Sequence, residues 1–155
     1  IMELVKFIFA LQIGVVLTHL ALTTPVVFNS LDEHESSGFL RKIFPRYYLF
    51  LTLLSLVPLI YALFYSLDGL LWYLIFANFV HSFIGLIIIP VTNFSRDRAW
   101  ERLFSLFHGL SIYCTIVITA IALIVFFIDL QPKSIEVAES IFTEIVTNAD
   151  ENISN

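Results

Sequence analysis

The stretch FANFVHSFIGLIIIP, residues 76–90, is apolar enough to lie in hydrocarbon, yet Asn78, His81 and Ser82 stand within it. The apolar run continues on both sides, from Leu70 to about Thr92, and so reaches the ~20 residues that a helix needs to cross a bilayer. A span surrounded by lipid must satisfy its own backbone hydrogen bonds, which favours a helix over a strand. The stretch therefore predicts a transmembrane helix that carries an imidazole near its middle.

The composition of the whole chain also indicates a membrane protein. Its 155 residues are 59% hydrophobic and 14% charged, with a mean hydropathy of +0.91, which soluble domains of this length rarely reach. The charges cluster between long apolar runs, as in multi-span membrane proteins. The chain has no basic, aromatic-rich patch outside its predicted loops, so we expect no nucleic-acid partner. The lipid bilayer is the predicted surrounding.

Hydrophobic runs predict four spans, at about residues 5–29, 44–66, 70–92 and 103–128. The connections between them are short, so consecutive spans should be antiparallel neighbours. The predicted fold is all-α: an integral membrane, up-down-up-down four-helix bundle over residues 2–130. Residues 131–155 are acidic and polar but carry a helical apolar face, which predicts an extracytoplasmic tail with a short amphipathic helix.

The distribution of lysine and arginine predicts the orientation of the bundle. One side of the predicted topology holds only Lys6 and Lys133, and the other holds Arg41, Lys42, Arg46, Arg96, Arg98 and Arg102. The positive-inside rule then places loops 30–43 and 93–102 in the cytoplasm and both termini outside, in what we expect to be a bacterial inner membrane. Interfacial aromatic anchors are predicted on both sides: Tyr47, Tyr48 and Trp100 on the cytoplasmic side, and Tyr65, Trp72 and Tyr73 on the outer side.

Three of the four spans carry a narrow polar seam. In the first span, Gln12, His19 and Thr23 are seven and four residues apart, which places them on one helical face. We expect the seams to face one another, with His19 and His81 at a similar depth near the middle of the bilayer and His108 nearer the cytoplasm. The predicted seam comprises Gln12, His19, Thr23, Asn78, His81, Ser82, His108, Ser111 and Thr115.

These polar residues allow several functions. As interhelical hydrogen-bonding groups, each worth ~0.6 to 2 kcal/mol, they would stabilise a structural or accessory subunit of a larger membrane assembly, or another interaction protein of the membrane. The alternative is a redox protein that binds haem b, copper or a quinone head group through His19 and His81, with His108 as a further candidate ligand or proton relay. A third option is a small-molecule carrier, because Pro25, Pro58 and Pro90 interrupt three spans.

Enzymatic activity has no support in the sequence motifs. There is no G-x-S-x-G motif, no glycine-rich phosphate loop and no H-E-x-x-H motif. The single cysteine, Cys114, lies within an apolar run and has no cysteine partner for a disulfide or a zinc site. No catalytic residue is predicted.

Four segments together resemble the transmembrane protein 205-like family: HLALTTPVVFNSL, KIFPRYYLFLTLL, GLIIIPVTN and FSLFHGLSIY. The matching positions are Phe44, Pro45, Tyr47, Pro90, Phe104, His108, Gly109 and Ser111. The resemblance implies a four-helix membrane bundle without an established reaction. Its plan is similar to that of the copper-resistance D-type proteins and a haem-binding protoporphyrinogen oxidase, which suggests the haem or copper alternative. The chain departs from the oxidase pattern at Leu11 and Gln12, where an early-span histidine is expected.

Overall fold

The computed structural model describes residues 2–65, 67, 69–127 and 140–146. Within them the chain is helical, in the order α1 (Met2–Thr18), a π-helical turn (His19–Thr23), α2 (Thr24–Ser30), α3 (Glu33–Phe64), α4 (Gly69–Asp97) and α5 (Glu101–Phe127). Four helical segments are long and apolar enough to cross a membrane: Glu3–Ser30, α3, α4 and α5. The predicted all-α membrane bundle is confirmed, and the chain is an integral membrane protein.

The helices surround a core that alternates between apolar and polar layers. α1 packs on α3 and α5, and α4 packs on α3 and α5, so α1 and α4 lie diagonally opposite. One apolar layer surrounds Phe9, Leu71 and Ile75, and a second contains Tyr48 and Ile118. The two layers are separated by a polar pair from the diagonal helices, Gln12 and Asn78.

The first membrane helix changes geometry at its π-helical turn. Pro25 has no backbone N–H and its ring crowds the carbonyl group of Ala21, so a regular α-helix cannot continue through this point. The helix widens instead, and the carbonyl of His19 accepts hydrogen bonds from the Thr24 backbone N–H and from Thr24 Oγ1, the latter at 2.9 Å. Beyond this turn α2 packs on α3 and makes no backbone approach to α5.

The helices extend beyond the predicted spans at the end where the arginines lie. The predicted connection 30–43 is helical over most of its length, because α3 begins at Glu33. Its predicted cytoplasmic position stays a prediction. Asp32 caps this helix: its Oδ1 accepts a hydrogen bond from the Glu35 backbone N–H at 2.8 Å. The predicted loop 93–102 shortens to the three residues between Asp97 and Glu101. We call this end, which holds Arg41, Lys42, Arg46, Arg96, Arg98 and Arg102, the cationic end.

Tyr48 of α3 contacts both α4 and α5 at the second apolar layer. Its ring lies against Gly85 of α4 so closely that a Cβ atom at that position would overlap it. Its hydroxyl donates to the Ser111 carbonyl oxygen of α5 at 2.6 Å and lies 2.7 Å from Thr115 Oγ1. The ring is 1% exposed, so the prediction that Tyr48 and Tyr47 are interfacial anchors is wrong: both lie inside the bundle.

Part of the tail lies within the described residues. Residues 140–146 are helical, and all of them are exposed. The rest of the predicted amphipathic helix falls outside the residues that the structure describes.

Candidate functional site

A cavity of about 450 Å³ lies at the cationic end of the bundle. Its walls come from the π-helical turn and α2, the first half of α3, the end of α4 and the start of α5. The cavity exists because α2 stays with α3 after the π-helical turn and leaves a gap toward α5. Pro25 therefore lies at the point where the first membrane helix turns away from α5. A second cavity of about 680 Å³ lies on the other side of His19 and Tyr47, between the first membrane helix and α3.

His19 and Tyr47 form a ring stack in the wall of this cavity. Their ring centroids are 4.4 Å apart with an interplanar angle of 24°, and Phe44 meets the imidazole edge-on at 5.1 Å. His19 is 6% exposed and Tyr47 is 7% exposed. Even so, His19 Nε2 and the Tyr47 hydroxyl form no hydrogen bond of ordinary geometry within the described residues. Thr115 is near the Tyr47 hydroxyl, but its own hydroxyl bonds to Tyr48 and Ser111. Most buried polar groups in proteins are partnered, so these two atoms distinguish this part of the cavity wall. Gln12 Oε1, in the centre of the bundle, is also buried without a partner among the described residues.

The outer rim of the cavity is positively charged. Arg41 Nη1 forms an ion pair with Asp97 Oδ1, and the buried Nε of the same guanidinium has no partner within the described residues. Arg96 also lines the cavity, with its guanidinium carbon 5.4 Å from the ring centroid of Phe104. The rim thus carries two cations and one carboxylate that already has a partner.

The deep wall is polar but internally satisfied. Tyr48, Ser111 and Thr115 line it and bond to one another as described above, and Ser111 Oγ donates to the His108 carbonyl oxygen at 2.8 Å. The side chain of His108 is exposed and stacks on Phe104, with ring centroids 5.6 Å apart. Of the three predicted histidines, the cavity therefore includes His19 and His108.

His81 does not lie where the sequence predicts. It is half-buried, its Nδ1 donates to the Ala77 carbonyl oxygen of its own helix at 2.7 Å, and its ring centroid lies 6.0 Å from that of Tyr113 on α5. The predicted approach of His81 to the first span is wrong, because its imidazole bonds within α4 and lies beside Tyr113 of α5. Its neighbour Asn78 reaches the first span in its place.

Asn78 forms the polar centre of the bundle. It is fully buried, accepts a hydrogen bond from Gln12 Nε2 at 3.1 Å, and donates through Nδ2 to the Ile118 carbonyl oxygen at 3.1 Å. Gln12 Nε2 also lies 3.4 Å from the Leu51 carbonyl oxygen, so the pair connects all four membrane helices. Of the other predicted seam residues in these two spans, Ser82 is buried and donates to the Asn78 backbone carbonyl oxygen, and Thr23 is half-buried.

The donor groups do not suit the predicted haem or copper site. Paired axial ligation requires two imidazoles that face one iron, but His19 stacks on Tyr47 of α3, and His81 bonds to its own helix and lies beside Tyr113 of α5. Within residues 2–65, 67, 69–127 and 140–146, no three His, Cys, Asp or Glu side chains come together as metal ligands. Cys114 is buried and belongs to the second apolar layer.

Sequence reasoning missed Tyr47, Tyr48 and Arg41 as site residues. A tyrosine near a span boundary is typical of an interfacial anchor, and only the position of α4 and α5 turns these two inward. One signal was available: Gly85 follows Asn78 and Ser82 on the same face of α4, and a glycine in a membrane helix often permits close contact with a neighbour.

The comparisons with known proteins extend over the first three membrane helices. Residues 7–95, more than half of the chain, match the family model described as "Domain of unknown function (DUF4149)". The matched range includes His19, Arg41, Tyr47 and Asn78, and it ends before α5. No curated protein and no solved structure gives a significant match.

Proposed function

Since this chain belongs to the family described as a domain of unknown function (DUF4149), its own side chains are the guide to its function, and we propose a non-catalytic membrane protein that binds a small amphiphile. The proposed binding site is the cavity at the cationic end. One observation carries the proposal: His19 Nε2 and the Tyr47 hydroxyl are buried in the cavity wall without a partner. A buried polar group left without a hydrogen bond costs about 1–3 kcal/mol, and a ligand with an acceptor would offset that cost.

The shape of the site favours a molecule that enters from the bilayer. Leu20 and Phe28 lie on one side of the gap between α2 and α5, and Ile112 and Ile116 lie on the other. All four are exposed large apolar residues, which suits a hydrocarbon chain lying in the gap. The polar lining behind them suits a head group.

A structural or accessory role stays a prediction. The Gln12–Asn78 pair supports a bundle held together by interhelical hydrogen bonds. A protein with only this role would need no ligand in its cavity, so ligand content separates the two functions. We do not propose the haem or copper alternative, because its two predicted ligands, His19 and His81, are turned to different helices and not to a common centre.

We further propose the predicted bacterial inner-membrane location, with the cationic end toward the cytoplasm. The support is the positive-inside rule, because this end holds Arg41, Lys42, Arg46, Arg96, Arg98 and Arg102. Labelling of intact cells with a membrane-impermeant maleimide tests the orientation. A cysteine at Glu3 should react and one at Arg98 should not, and the reverse result would contradict it. The finer resemblance to the transmembrane protein 205-like family is also a proposal, supported by the motifs around Pro45, Pro90 and His108.

The ligand proposal is tested by native mass spectrometry and solvent extraction of protein purified in mild detergent. Asn93 lines the cavity and is half-buried, so Asn93→Trp should fill it. Val91 is exposed and not part of the lining, so Val91→Trp is the matched control. We expect about one amphiphile per chain in the wild type and in Val91→Trp, and a loss in Asn93→Trp. A wild-type protein with no stoichiometric ligand, or an Asn93→Trp protein that retains it, would refute the proposal.

The hydroxyl of Tyr47 allows a finer test. Removing one hydrogen bond worth about 1 kcal/mol should weaken ligand retention roughly fivefold in Tyr47→Phe. Tyr113→Phe removes a hydroxyl outside the cavity, next to His81, and should leave retention unchanged. Equal effects of the two substitutions would show that Tyr47 does not contact the ligand.

A further inference from the structure

The charged rim of the cavity indicates the chemical class of its ligand, in an inference that rests on the function proposed above. We propose that the cavity binds a phospholipid with an anionic head group, whose phosphate lies at Arg41 and Arg96. The lipid's ester groups would lie deeper, beside Tyr47 and His19, and an acyl chain would leave through the gap between α2 and α5. The order of polar and apolar groups in such a lipid matches the order of groups along the cavity.

The charge balance of the rim favours an anion. Arg41 is paired with Asp97, but its buried Nε is still without a partner among the described residues. Arg96 rests on the ring of Phe104, and the described part of the chain provides no carboxylate for it. Guanidinium groups bind phosphate oxygens through charge-assisted hydrogen bonds, which are stronger than those to neutral acceptors. The rim therefore does not neutralise one of its cations, Arg96, and this cation is available to a phosphate.

The unpartnered polar atoms favour a ligand rich in acceptors. Arg41 Nε and the Tyr47 hydroxyl are donors, and His19 Nε2 donates in one neutral tautomer and in the charged form. A phospholipid offers only acceptor oxygens over this region, on its phosphate and on its two esters. Its phosphate suits the rim, and the ester carbonyl oxygens suit the ring stack of His19 and Tyr47.

The gap between α2 and α5 distinguishes a lipid from a free anion. Inorganic phosphate would need the rim alone. A lipid would also use the path from the cavity to the acyl chains of the bilayer, which is bordered by the exposed apolar side chains of Leu20, Phe28, Ile112 and Ile116. In the orientation proposed above, the cationic end lies in the cytoplasmic leaflet, where anionic lipids attract basic segments with about 1 kcal/mol per Lys or Arg.

The test compares four ligands on delipidated protein in mild detergent at fixed ionic strength. Native mass spectrometry titrates dioleoyl phosphatidylglycerol, dioleoyl phosphatidylcholine and dioleoylglycerol, and thermal unfolding compares the effects of inorganic phosphate and of phosphatidylglycerol. We expect one phosphatidylglycerol per chain, bound roughly fivefold to tenfold more tightly than phosphatidylcholine. Dioleoylglycerol should bind more weakly than both, and inorganic phosphate should not stabilise the protein.

The arginines provide the matched variants. Arg96→Gln should reduce the preference for phosphatidylglycerol over phosphatidylcholine to about twofold or less, and Arg41→Gln should act in the same direction. Arg98 lies at the same end but over Phe94, outside the cavity lining, so Arg98→Gln should keep the wild-type preference. Circular dichroism and monodispersity confirm that each variant is folded.

The possible failures are distinguishable. One lipid per chain with no head-group preference, or equal losses in Arg96→Gln and Arg98→Gln, would overturn this inference and leave the proposed function standing. Stabilisation by inorganic phosphate equal to that by phosphatidylglycerol would identify the ligand as a free anion and also overturn it. Protein that binds none of the lipids and retains no amphiphile from the membrane would overturn both proposals.

Discussion

Replacing Gly85 with alanine should destabilise the bundle by about 2–5 kcal/mol, because the new methyl group has no room beside Tyr48. A Cβ atom at position 85 would lie 2.8 Å from Tyr48 Cζ and nearer still to two other ring carbons. The ring is 1% exposed and its hydroxyl bonds to α5, so it cannot move aside without losing those bonds. Overpacking costs about 1–3 kcal/mol, and interhelical hydrogen bonds in membranes are worth ~0.6 to 2 kcal/mol each.

The assay is reversible unfolding in mixed detergent micelles with a rising fraction of denaturing detergent, followed by far-ultraviolet circular dichroism. Gly14→Ala and Gly109→Ala are matched controls, since nothing lies within 4 Å of a Cβ at either helical position. In both controls the free energy of unfolding should rise by up to about 1 kcal/mol, because alanine loses less backbone entropy than glycine on forming a helix. In a Tyr48→Leu background, Gly85→Ala should lower the free energy of unfolding by much less than in the wild type. A Gly85→Ala protein as stable as the wild type, or an equal cost in both backgrounds, would refute the close contact.

Three further predictions concern stability and use the same unfolding assay. A double-mutant cycle with Gln12→Leu and Asn78→Leu should give a coupling free energy of about 0.6–1.7 kcal/mol, and a value near zero would show that the two amides do not bond. Ala99→Gly should raise stability by about 1 kcal/mol, because Ala99 has a φ of 55° at the end of α4, where glycine avoids a Cβ clash; a decrease would contradict the left-handed turn. Asp32→Ala should lower stability by about 1 kcal/mol and Asp32→Asn by much less, since asparagine also caps the Glu35 N–H; equal losses would exclude a capping role.

The inward position of Gln12 and Asn78 could be predicted from the sequence because their environment leaves them few alternatives. An amide that faces lipid has no water to bond, so it turns toward another helix. The same rule does not predict the position of His81. Its imidazole bonds to the Ala77 carbonyl oxygen one turn earlier in its own helix, which satisfies one nitrogen without any partner on another helix. A polar side chain that can bond to its own backbone does not by itself determine which way it faces.

The cavity could not be predicted for a different reason. Pro25 is visible in the sequence, but its effect depends on which neighbour α2 follows after the π-helical turn. Because α2 follows α3 and not α5, His19, Tyr47 and Arg41 line an open site. The predicted interfacial position of Tyr47 and Tyr48 was wrong for the same reason, since burial depends on helices far away in the chain.

The sequence alone determined that this protein is a bundle of four membrane helices with its arginines at one end. Length, hydropathy and charge are local properties, and a bilayer converts them directly into helices and ends. Tertiary structure decided which polar atoms find partners and which do not. That outcome depends on the rotation and separation of each helix relative to its neighbours. Contacts such as that between Tyr48 and Gly85 set this geometry, and no single segment encodes it.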